Sequence, residues 1–249
     1  ERAAAPGIEA AEIRVDRSGT VTILSGSCTQ GQGHETVYKQ IVCDKLGLKP
    51  EDISYIWGDT DKVAFGHGAG GSRSATLGGS AVLMATDKII EKSKKVAAHQ
   101  LEAAVEDIEF NEGIFSVAGT DKTTTFSAVA KAAISPKQIP EGMEPGLNEN
   151  ATYTADIMNY PNGCHVCEVE IDPDTGVTEI VNYNVIDDVG TVMNPLLLKG
   201  QIQGGIAQGV GQALLEEIVY DDDGQLITGS FMDYAMPRAK HISYMEVKA

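Results

Sequence analysis

The spacing of apolar residues switches repeatedly between the period of a strand and the period of a helix. Short alternating or apolar runs bounded by turn residues predict β-strands over residues 8–15, 20–27, 52–57, 108–110, 114–117, 164–171, 177–187, 220–227 and 228–233. Apolar residues three or four apart predict helices over residues 35–46, 76–101, 126–133 and 196–217. The segment 135–150 is rich in proline, glycine and charge, which predicts an exposed connection.

The order of these predicted elements repeats. A strand, a strand, a loop and a helix occur in the first half of the chain and again in the second half. This pattern predicts an α+β fold of two related mixed α/β lobes rather than a regular parallel series. We place the first lobe at residues 1–150 and the second at residues 151–249.

Composition narrows the class of protein. Hydrophobic residues make up 42% of the 249 positions, which is typical of a globular chain. No apolar run approaches 18 residues, so no membrane span is expected. The net charge of −17 argues against nucleic acid and anionic membranes as partners. The start of the chain lacks the pattern of a signal peptide, and it lacks an initiator methionine, so we expect a fragment, a processed product or an engineered chain.

Four cysteines are present, and Cys164 and Cys167 have C-x-x-C spacing. The surrounding residues alternate like a strand, and residues three apart in a strand point to opposite faces. No second C-x-x-C is found in the sequence, so we expect no metal or redox site here. The few cysteines and the missing signal peptide predict a cytoplasmic protein.

The segment Thr29–Glu35, TQGQGHE, connects a predicted strand to a predicted helix. Its glycines, Gly31 and Gly33, leave backbone N–H groups open where the helix begins, and such a helix start attracts anions. The amide of Gln32 can both donate and accept hydrogen bonds, which suits the edge of a heterocycle. The alternative is a tight turn that serves packing alone, because a glycine pair before a helix is a weak signal.

A second glycine-rich loop, GHGAGGSRS, also precedes a predicted helix. Gly71, Ser72, Arg73 and Ser74 combine exposed N–H groups, two hydroxyls and one guanidinium, which predicts a phosphate or pyrophosphate site. It is not a P-loop, because the required lysine motif is missing. The alternative is a surface loop in which Ser72 or Ser74 caps the helix.

A third segment, GQIQGGIAQGVG, places several glycines inside a predicted helix. Each glycine there costs roughly 0.5–1 kcal/mol relative to alanine, so close packing or a bound ligand is expected at this helix. Gln201 is a polar group near its start. Packing through small residues is the interpretation for Gly205, Gly209 and Gly211.

These three segments resemble one family. TQGQGHET, the GSRS loop and NPLLLKGQIQGGIAQGVGQALLEE are similar, in this order, to the molybdenum hydroxylases, which include xanthine dehydrogenase, aldehyde oxidoreductase and aerobic carbon monoxide dehydrogenase. The flanking segments VEIDPDTGVTEI and GSFMDYAMPRA agree as well, so the resemblance covers nearly the whole chain. It implies the second half of the domain that binds the molybdenum cofactor.

The resemblance also implies a ligand and its contacts. The ligand is a molybdopterin, expected in its cytosine dinucleotide form. Gly31, Gln32 and Gly33 match the family's pterin loop, and Gln201 matches a glutamine beside the pterin. The remaining matched positions belong to the loop that holds the phosphate and dithiolene region: Gly71, Ser72, Arg73 and Ser74.

The resemblance further implies what lies outside the sequence. The family's catalytic glutamate belongs to a G-x-G-E-type motif that is not found before Ala249, so we expect no catalytic residue in this chain and a second lobe truncated at its C-terminus. Expected partners are the other half of the molybdenum domain, iron–sulfur and flavin subunits or domains, and a second copy in a homo-oligomer. Two alternatives remain at this point: a scaffold fragment empty of cofactor, and an unrelated nucleotide-binding domain.

Overall fold

A computed structural model describes residues 7–156, 159–242 and 244–249. The chain forms two compact units, Glu1–Tyr160 and Pro161–Ala249. The strands are β1 Ile8–Val15, β2 Val21–Ser25, β3 Ile53–Trp57, β4 Ile108–Asn111, β5 Ile114–Val117, β6 Thr123–Thr125, β7 Leu147–Thr154, β8 Asn162–Ile171, β9 Thr178–Asp188 and β10 Met245–Lys248. The helices are α1 His34–Leu46, α2 Ser80–Leu101, α3 Phe126–Ala133 and α4 Pro195–Leu214.

The first unit is built on a four-stranded sheet with the order β3-β2-β1-β7. Strand β1 is antiparallel to both β2 and β7, whereas β2 and β3 are parallel and are connected through α1. Helix α2 packs across β1 and β7, and α1 packs beside α2 and β3. Burial of the inward-facing strand positions Ile13 and Val15 against these helices forms the core.

Strand β7 corrects one prediction. Residues 147–150 were expected in an exposed connection, but they begin a strand that pairs with β1 from Leu147↔Val15 to Thr154↔Ile8. The polar residues of LNENATYT alternate with buried Leu147 and Ala151, so the strand has one apolar face. The local composition hid this alternation.

The predicted helix over 76–101 starts differently from an ordinary α-helix. A π-helical turn, Ala75–Gly79, precedes α2. Gly78 is buried against the Tyr38 hydroxyl and the Ser27 hydroxyl, and a Cβ at this position would overlap the tyrosine oxygen. The wider π turn lets the backbone approach these groups, and such turns are frequent at functional sites.

A smaller three-stranded sheet, β4-β5-β6, completes the first unit. Strands β4 and β5 form the predicted hairpin, with Glu112 and Gly113 both at positive φ in its turn. Helix α3 follows β6 and begins with Thr125, whose side chain accepts a hydrogen bond from the Ala128 N–H. Phe115 and Phe126 bury these elements in the same core as the main sheet.

The second unit has a three-stranded sheet with the order β10-β9-β8. Strands β8 and β9 are the predicted antiparallel hairpin, and β9 and β10 are parallel with α4 between them. The two units therefore share a strand–strand–helix–strand order. The hairpin predicted over 220–233 is wrong: in the described residues a single bridge between Tyr220 and Leu226 forms, and residues 228–233 form no strand, with a turn at 231–233.

The second unit differs from the first in what covers its sheet. Helix α4 packs Ile206 and Val210 against Val185 and Met245. Among the described residues, this unit has no counterpart of α2. An apolar groove beside α4 therefore remains open over β8, and Gly205 and Gly209 line it. A Cβ at either glycine would have no neighbour within 4 Å, so the predicted packing through these two small residues is not formed in the described part of the unit.

In the described ranges, no helix combines the length and the apolar character that crossing a bilayer requires.

Candidate functional site

Two loops leave the same edge of the sheet in the first unit. The first loop, residues 26–33, follows β2, and the second loop, residues 58–74, follows β3. Because β2 and β3 are parallel and end side by side at Ser25↔Trp57, both loops begin at neighbouring strand ends. Ligands of open α/β sheets bind at the carboxyl ends of the strands. The topology thus brings together the two loops that the sequence singled out separately.

The two loops touch through their backbones. A Cβ built on Gly26 would overlap the Gly66 Cα, and a Cβ built on Gly66 would overlap the Gly26 Cα. Neither glycine has a left-handed φ, so the reason for glycine here is the close approach of two main chains. The sequence analysis assigned no role to either position.

Two buried tyrosines connect the loops to the core. The Tyr55 hydroxyl donates to the Ser27 carbonyl at 2.9 Å, and the Tyr38 hydroxyl donates to the Ser74 carbonyl at 2.8 Å. Their rings meet edge to face with centroids 5.5 Å apart. Burial raises the pKa of Tyr55 well above its ordinary value, so this phenol remains a neutral hydrogen-bond donor at physiological pH.

The first loop contains the predicted Gly31, Gln32 and Gly33. Gly31 has φ 103° and Gly33 has φ 86°, a left-handed conformation that favours glycine. Gly33 is the residue before α1, and no side chain caps this helix start. The first N–H groups of α1 are therefore available to a ligand.

The Gln32 side chain holds the first loop in shape. Its Oε1 accepts hydrogen bonds from the Gln30 N–H and the Thr29 hydroxyl, and its Nε2 donates to the Gln30 Oε1 at 2.9 Å. One Nε2 hydrogen is left over, because an amide can make four such bonds and three are formed here. Gln32 thus both orders the loop and keeps capacity for a ligand.

The second loop presents donors of both backbone and side-chain origin. In the described part of the chain, no acceptor pairs with the backbone N–H groups of residues 68–73. Gly71 has φ 61° and Ser72 has φ 52°, and successive N–H groups in a turn conformation are the kind of backbone that forms anion-binding nests. The Arg73 guanidinium makes one long hydrogen bond, from Nη2 to the His67 carbonyl at 3.4 Å. The other guanidinium N–H groups suit a negatively charged ligand, because hydrogen bonds between charged groups are strong.

The four predicted residues of the second loop therefore do not act alike. Ser72 is exposed, whereas Ser74 is buried, and the Ser74 carbonyl is engaged by Tyr38. Neither serine caps the following helical turn through its side chain, which removes the alternative of a serine cap at Ser74. Ser74 is better placed to anchor the loop, and Ser72 and Arg73 to contact a ligand.

The predicted Gln201 lies in the second unit. It is exposed in the second turn of α4, a helix whose start is capped by Asn194 through a 3.1 Å hydrogen bond from the Leu197 N–H. Pro195 at the first helical position needs no acceptor. This helix start is consequently satisfied by its own residues, and Gln201 offers a free-standing amide on the exposed helix surface.

The cysteine spacing has the geometry expected of a strand. Cys164 and Cys167 both lie in β8, paired with Ile186 and Tyr183. Cys167 lines the groove beside α4 together with His165. Among the described residues, no group of three or more histidine, cysteine or acidic side chains has the geometry to hold a metal ion.

His34 is the buried histidine of the site. It is the first residue of α1, it stacks on Tyr38 with centroids 5.6 Å apart, and its Nδ1 has no hydrogen-bond partner among the described residues. Burial lowers the pKa of His34 below its ordinary value of 6.5, against the opposing effect of a hydrogen bond to the Ser27 backbone. The imidazole is therefore neutral at pH 7.

We expect His34 to make the protein less stable in mild acid. Between pH 6.5 and the lower pKa of the folded state, the unfolded chain binds a proton that the folded chain does not. The free energy of unfolding should fall there by up to about 1.4 kcal/mol per pH unit, and be unaffected above pH 6.5. Urea unfolding at pH 7.5, 6.0 and 5.0 measures this. His34→Phe should flatten the profile, whereas the exposed His99→Phe should not; equal profiles would contradict the assignment.

Some residues of the site could not be predicted from the sequence. Four residues that make buried hydrogen bonds at the loops were not predicted: Glu9, Ser27, Tyr38 and Tyr55. A signal existed for Glu9 alone: it shares the inward face of β1 with the buried apolar positions of that strand, where a carboxylate is unusual. The other three act through contacts that only the fold creates.

The fold is α+β, and two adjoining loops at one edge of its sheet present backbone N–H groups of the kind that suit an anionic ligand. The family described as the molybdopterin cofactor-binding domain matches residues 2–243. The chain belongs to this family, the cofactor-binding domain of molybdenum hydroxylases. This excludes the alternative of an unrelated nucleotide-binding domain.

Three relatives illustrate the similarity. The chain is 40% identical over 234 residues to the 6-hydroxypseudooxynicotine dehydrogenase complex subunit gamma of Paenarthrobacter nicotinovorans, covering 94% of this chain and 30% of that protein. It is 37% identical over 239 residues to the carbon monoxide dehydrogenase large chain of Hydrogenophaga pseudoflava, covering 96% and 30%. Quinoline 2-oxidoreductase from Pseudomonas putida 86 has a similar structure, with a TM-score of 0.88, 38% identity and coverage of 97% and 31%. The chain thus spans about a third of these relatives.

Proposed function

We propose that this chain holds the molybdopterin cofactor, in its cytosine dinucleotide form, within a molybdenum hydroxylase. The complete enzyme would hydroxylate an aldehyde or an N-heterocycle with oxygen from water, or oxidise carbon monoxide. The observation that carries the proposal is the pair of adjoining loops at one sheet edge, with free N–H groups at residues 68–73 and the Arg73 guanidinium among them. A net charge of −17 repels anions in general, so this local concentration of donors supports a dedicated site for an anionic ligand.

The residues fit the cofactor chemically. Ser72, Arg73 and the Gly71 backbone suit a phosphate or pyrophosphate, since they combine charge-assisted and backbone donors. Gln32, between Gly31 and Gly33, suits the polar edge of a pterin. Gln201, in the second unit, is a further candidate amide for the pterin, on the strength of the family resemblance and its exposed side chain. When bound, the cofactor supplies the oxidation–reduction chemistry, and these residues bind it and fix its orientation.

The partners follow from the same assignment. The relatives named above include a large chain and a subunit of a complex, and the chain spans only about 30% of each. We infer that the site is completed by the other half of the molybdenum domain, and that iron–sulfur and flavin subunits or domains carry the electrons away. A cytoplasmic location fits the four cysteines, none of which is paired in a disulfide among the described residues.

The test is cofactor analysis of the full-length protein that contains this chain. We expect molybdenum and a fluorescent pterin oxidation product in about equal amounts per folded protein, and cytosine nucleotide after acid hydrolysis. Metal and pterin without cytosine nucleotide would reject the dinucleotide form. A folded protein that takes up no molybdopterin under conditions that load a known molybdenum hydroxylase would favour the scaffold alternative.

We expect Gln32→Ala to weaken cofactor binding moderately. The amide contributes neutral hydrogen bonds, each worth about 0.5–1.5 kcal/mol net, and its removal also frees the Gln30 N–H from its partner. Cofactor content after dialysis should therefore fall about threefold to tenfold. Gln40→Ala, in the second turn of α1 and beyond the loop, serves as the control and should leave the content unchanged. Equal contents in both variants would contradict the role of Gln32.

We expect the isolated 249-residue chain to self-associate. Large apolar side chains of the second unit are exposed, with Leu196 80%, Phe231 75% and Met232 89% accessible. Exposed apolar patches favour association, and at physiological salt the net negative charge is screened. Light scattering from 1 to about 50 μM should show a rising mean mass. The double variant Phe231→Ser and Met232→Ser should reduce it, and a monomer over the whole range would contradict the expectation.

A further inference from the structure

A buried carboxylate lies beneath the two loops and has no part in the function described so far. Glu9 is on the inward face of β1 and is 2% exposed. The hydrogen-bond partners described for it are neutral donors, and burying a carboxylate among neutral groups is costly. An apolar residue would fill this strand position at a lower cost, so the carboxylate needs another reason.

Its contacts join three separate segments. Glu9 Oε1 accepts from the Ala10 N–H at 3.0 Å in its own strand. Glu9 Oε2 accepts from the Ser27 hydroxyl at 3.3 Å in the first loop and from the His67 N–H at 3.3 Å in the second loop. One oxygen atom therefore links residue 27 to residue 67, across forty residues of sequence.

The link lies where the loops touch. Glu9 Oε1 would be 3.2 Å from a Cβ on Gly26 and 2.9 Å from a Cβ on Gly66, the two glycines whose backbones meet. The carboxylate thus fills the space directly below the contact between the loops. Ser74 lies seven residues after His67 in the second loop, and its carbonyl accepts a hydrogen bond from the Tyr38 hydroxyl. The free N–H groups of residues 68–73 lie between these two fixed points.

We propose that Glu9 is a positioning residue of the cofactor site: a buried clasp that fixes the first loop to the second so that their donors face one ligand. The ligand in this statement rests on the proposed function. The clasp itself is a property of the protein without the ligand. Two separate measurements can therefore test the two parts.

The first measurement is hydrogen–deuterium exchange of the full-length protein without cofactor. Glu9→Gln keeps the size of the side chain but replaces one acceptor oxygen with a donor, so in either orientation of the amide a donor that the carboxylate bound (Ala10 N–H, or the Ser27 hydroxyl and His67 N–H) faces an NH₂ group. We expect exchange in peptides covering residues 26–33 and 64–73 to become about tenfold faster, with α3 and β4–β6 unchanged. Unchanged loop exchange, or an equal increase across the whole first unit, would overturn the clasp.

A matched control lies on the same strand. Glu12 faces the opposite side of β1 and pairs with Arg14 at 2.6 Å on the surface. Glu12→Gln makes the same chemical change and should leave loop exchange as in the unaltered protein. Ser27→Ala removes one of the three donors and should accelerate exchange in the first loop only, which keeps the clasp testable if Glu9→Gln does not fold. Wild-type exchange in Ser27→Ala would then overturn it.

The second measurement is cofactor retention. Molybdenum and pterin per folded protein should fall at least fivefold in Glu9→Gln after dialysis and stay at the wild-type level in Glu12→Gln. Faster loop exchange with full cofactor content would confirm the contact but overturn the positioning role. If the unaltered protein itself binds no molybdopterin, the proposed function fails, and the exchange experiment still decides whether Glu9 joins the loops.

Discussion

Arg73→Ala is expected to remove most of the bound cofactor and leave the fold nearly unchanged. The guanidinium is half-buried, makes one long hydrogen bond to the His67 carbonyl, and lies among backbone N–H groups that have no acceptor in the described chain. A phosphate approaching a protein of net charge −17 meets a repulsive field unless a local cation offsets it. No other cation lies within five residues of Arg73 in the sequence, and Lys62, earlier in the same loop, is paired with Asp59 at 2.8 Å.

The expected size follows from the chemistry of the contact. A hydrogen bond to a charged group is worth about 1.5–3 kcal/mol, which is roughly a 10- to 150-fold loss of affinity. Molybdenum and pterin content per folded protein measures it, alongside urea unfolding to show that stability is retained. Arg73→Lys should recover part of the loss, because lysine keeps the charge but not the planar fork of donors.

The control for this prediction is another arginine of the same unit. Arg17 is exposed in the turn between β1 and β2, away from both loops in the sequence. Arg17→Ala changes the net charge by the same amount. It therefore measures the effect of one lost positive charge on cofactor content without the loss of the guanidinium in the loop. Equal cofactor content in Arg73→Ala and Arg17→Ala would show that Arg73 is a solvated loop residue.

The sequence predicted the loops of this site because their chemistry is local. Glycines before a helix start and a guanidinium between serines are properties of a few neighbouring residues. The positive φ of Gly31, Gly33 and Gly71 was not specified by the sequence and is a finding of the structure. The elements around them were predicted for the same reason: α1, β4, β5 and α3 have strong periods and clear end signals.

What the sequence did not predict depends on distant residues. Strand β7 forms because it pairs with the edge of β1, and its alternating polar sequence does not by itself predict a strand. The parallel pairing of β2 with β3 places the two loops side by side, and no local pattern specifies it. Tyr38 and Tyr55 have ordinary sequence surroundings, and their hydroxyls acquire a role only when loop carbonyls arrive at 2.8 and 2.9 Å.

The largest effect is expected from one methyl group. Gly66→Ala should destabilise the first unit and separate the two loops. A Cβ at this position would overlap the Gly26 Cα and lie 2.9 Å from Glu9 Oε1. Backbone atoms cannot rotate away as a flexible side chain can, so the loops must move apart or the strand ends must shift. Overpacking of this kind typically costs about 1–3 kcal/mol, and the donors for the cofactor move with the loops.

A glycine four residues further along the same loop provides the matched comparison. Gly70 also has a φ outside the left-handed region, but a Cβ there would have no neighbour within 4 Å. Gly70→Ala should be neutral or stabilise the protein by up to about 1 kcal/mol, because alanine restricts the unfolded chain. Urea unfolding of both variants decides the matter, and the cofactor content of Gly66→Ala is compared with that of the unaltered protein. If Gly66→Ala is as stable as Gly70→Ala and as fully loaded as the unaltered protein, the two backbones do not meet, and the joined loops cannot be what holds the cofactor.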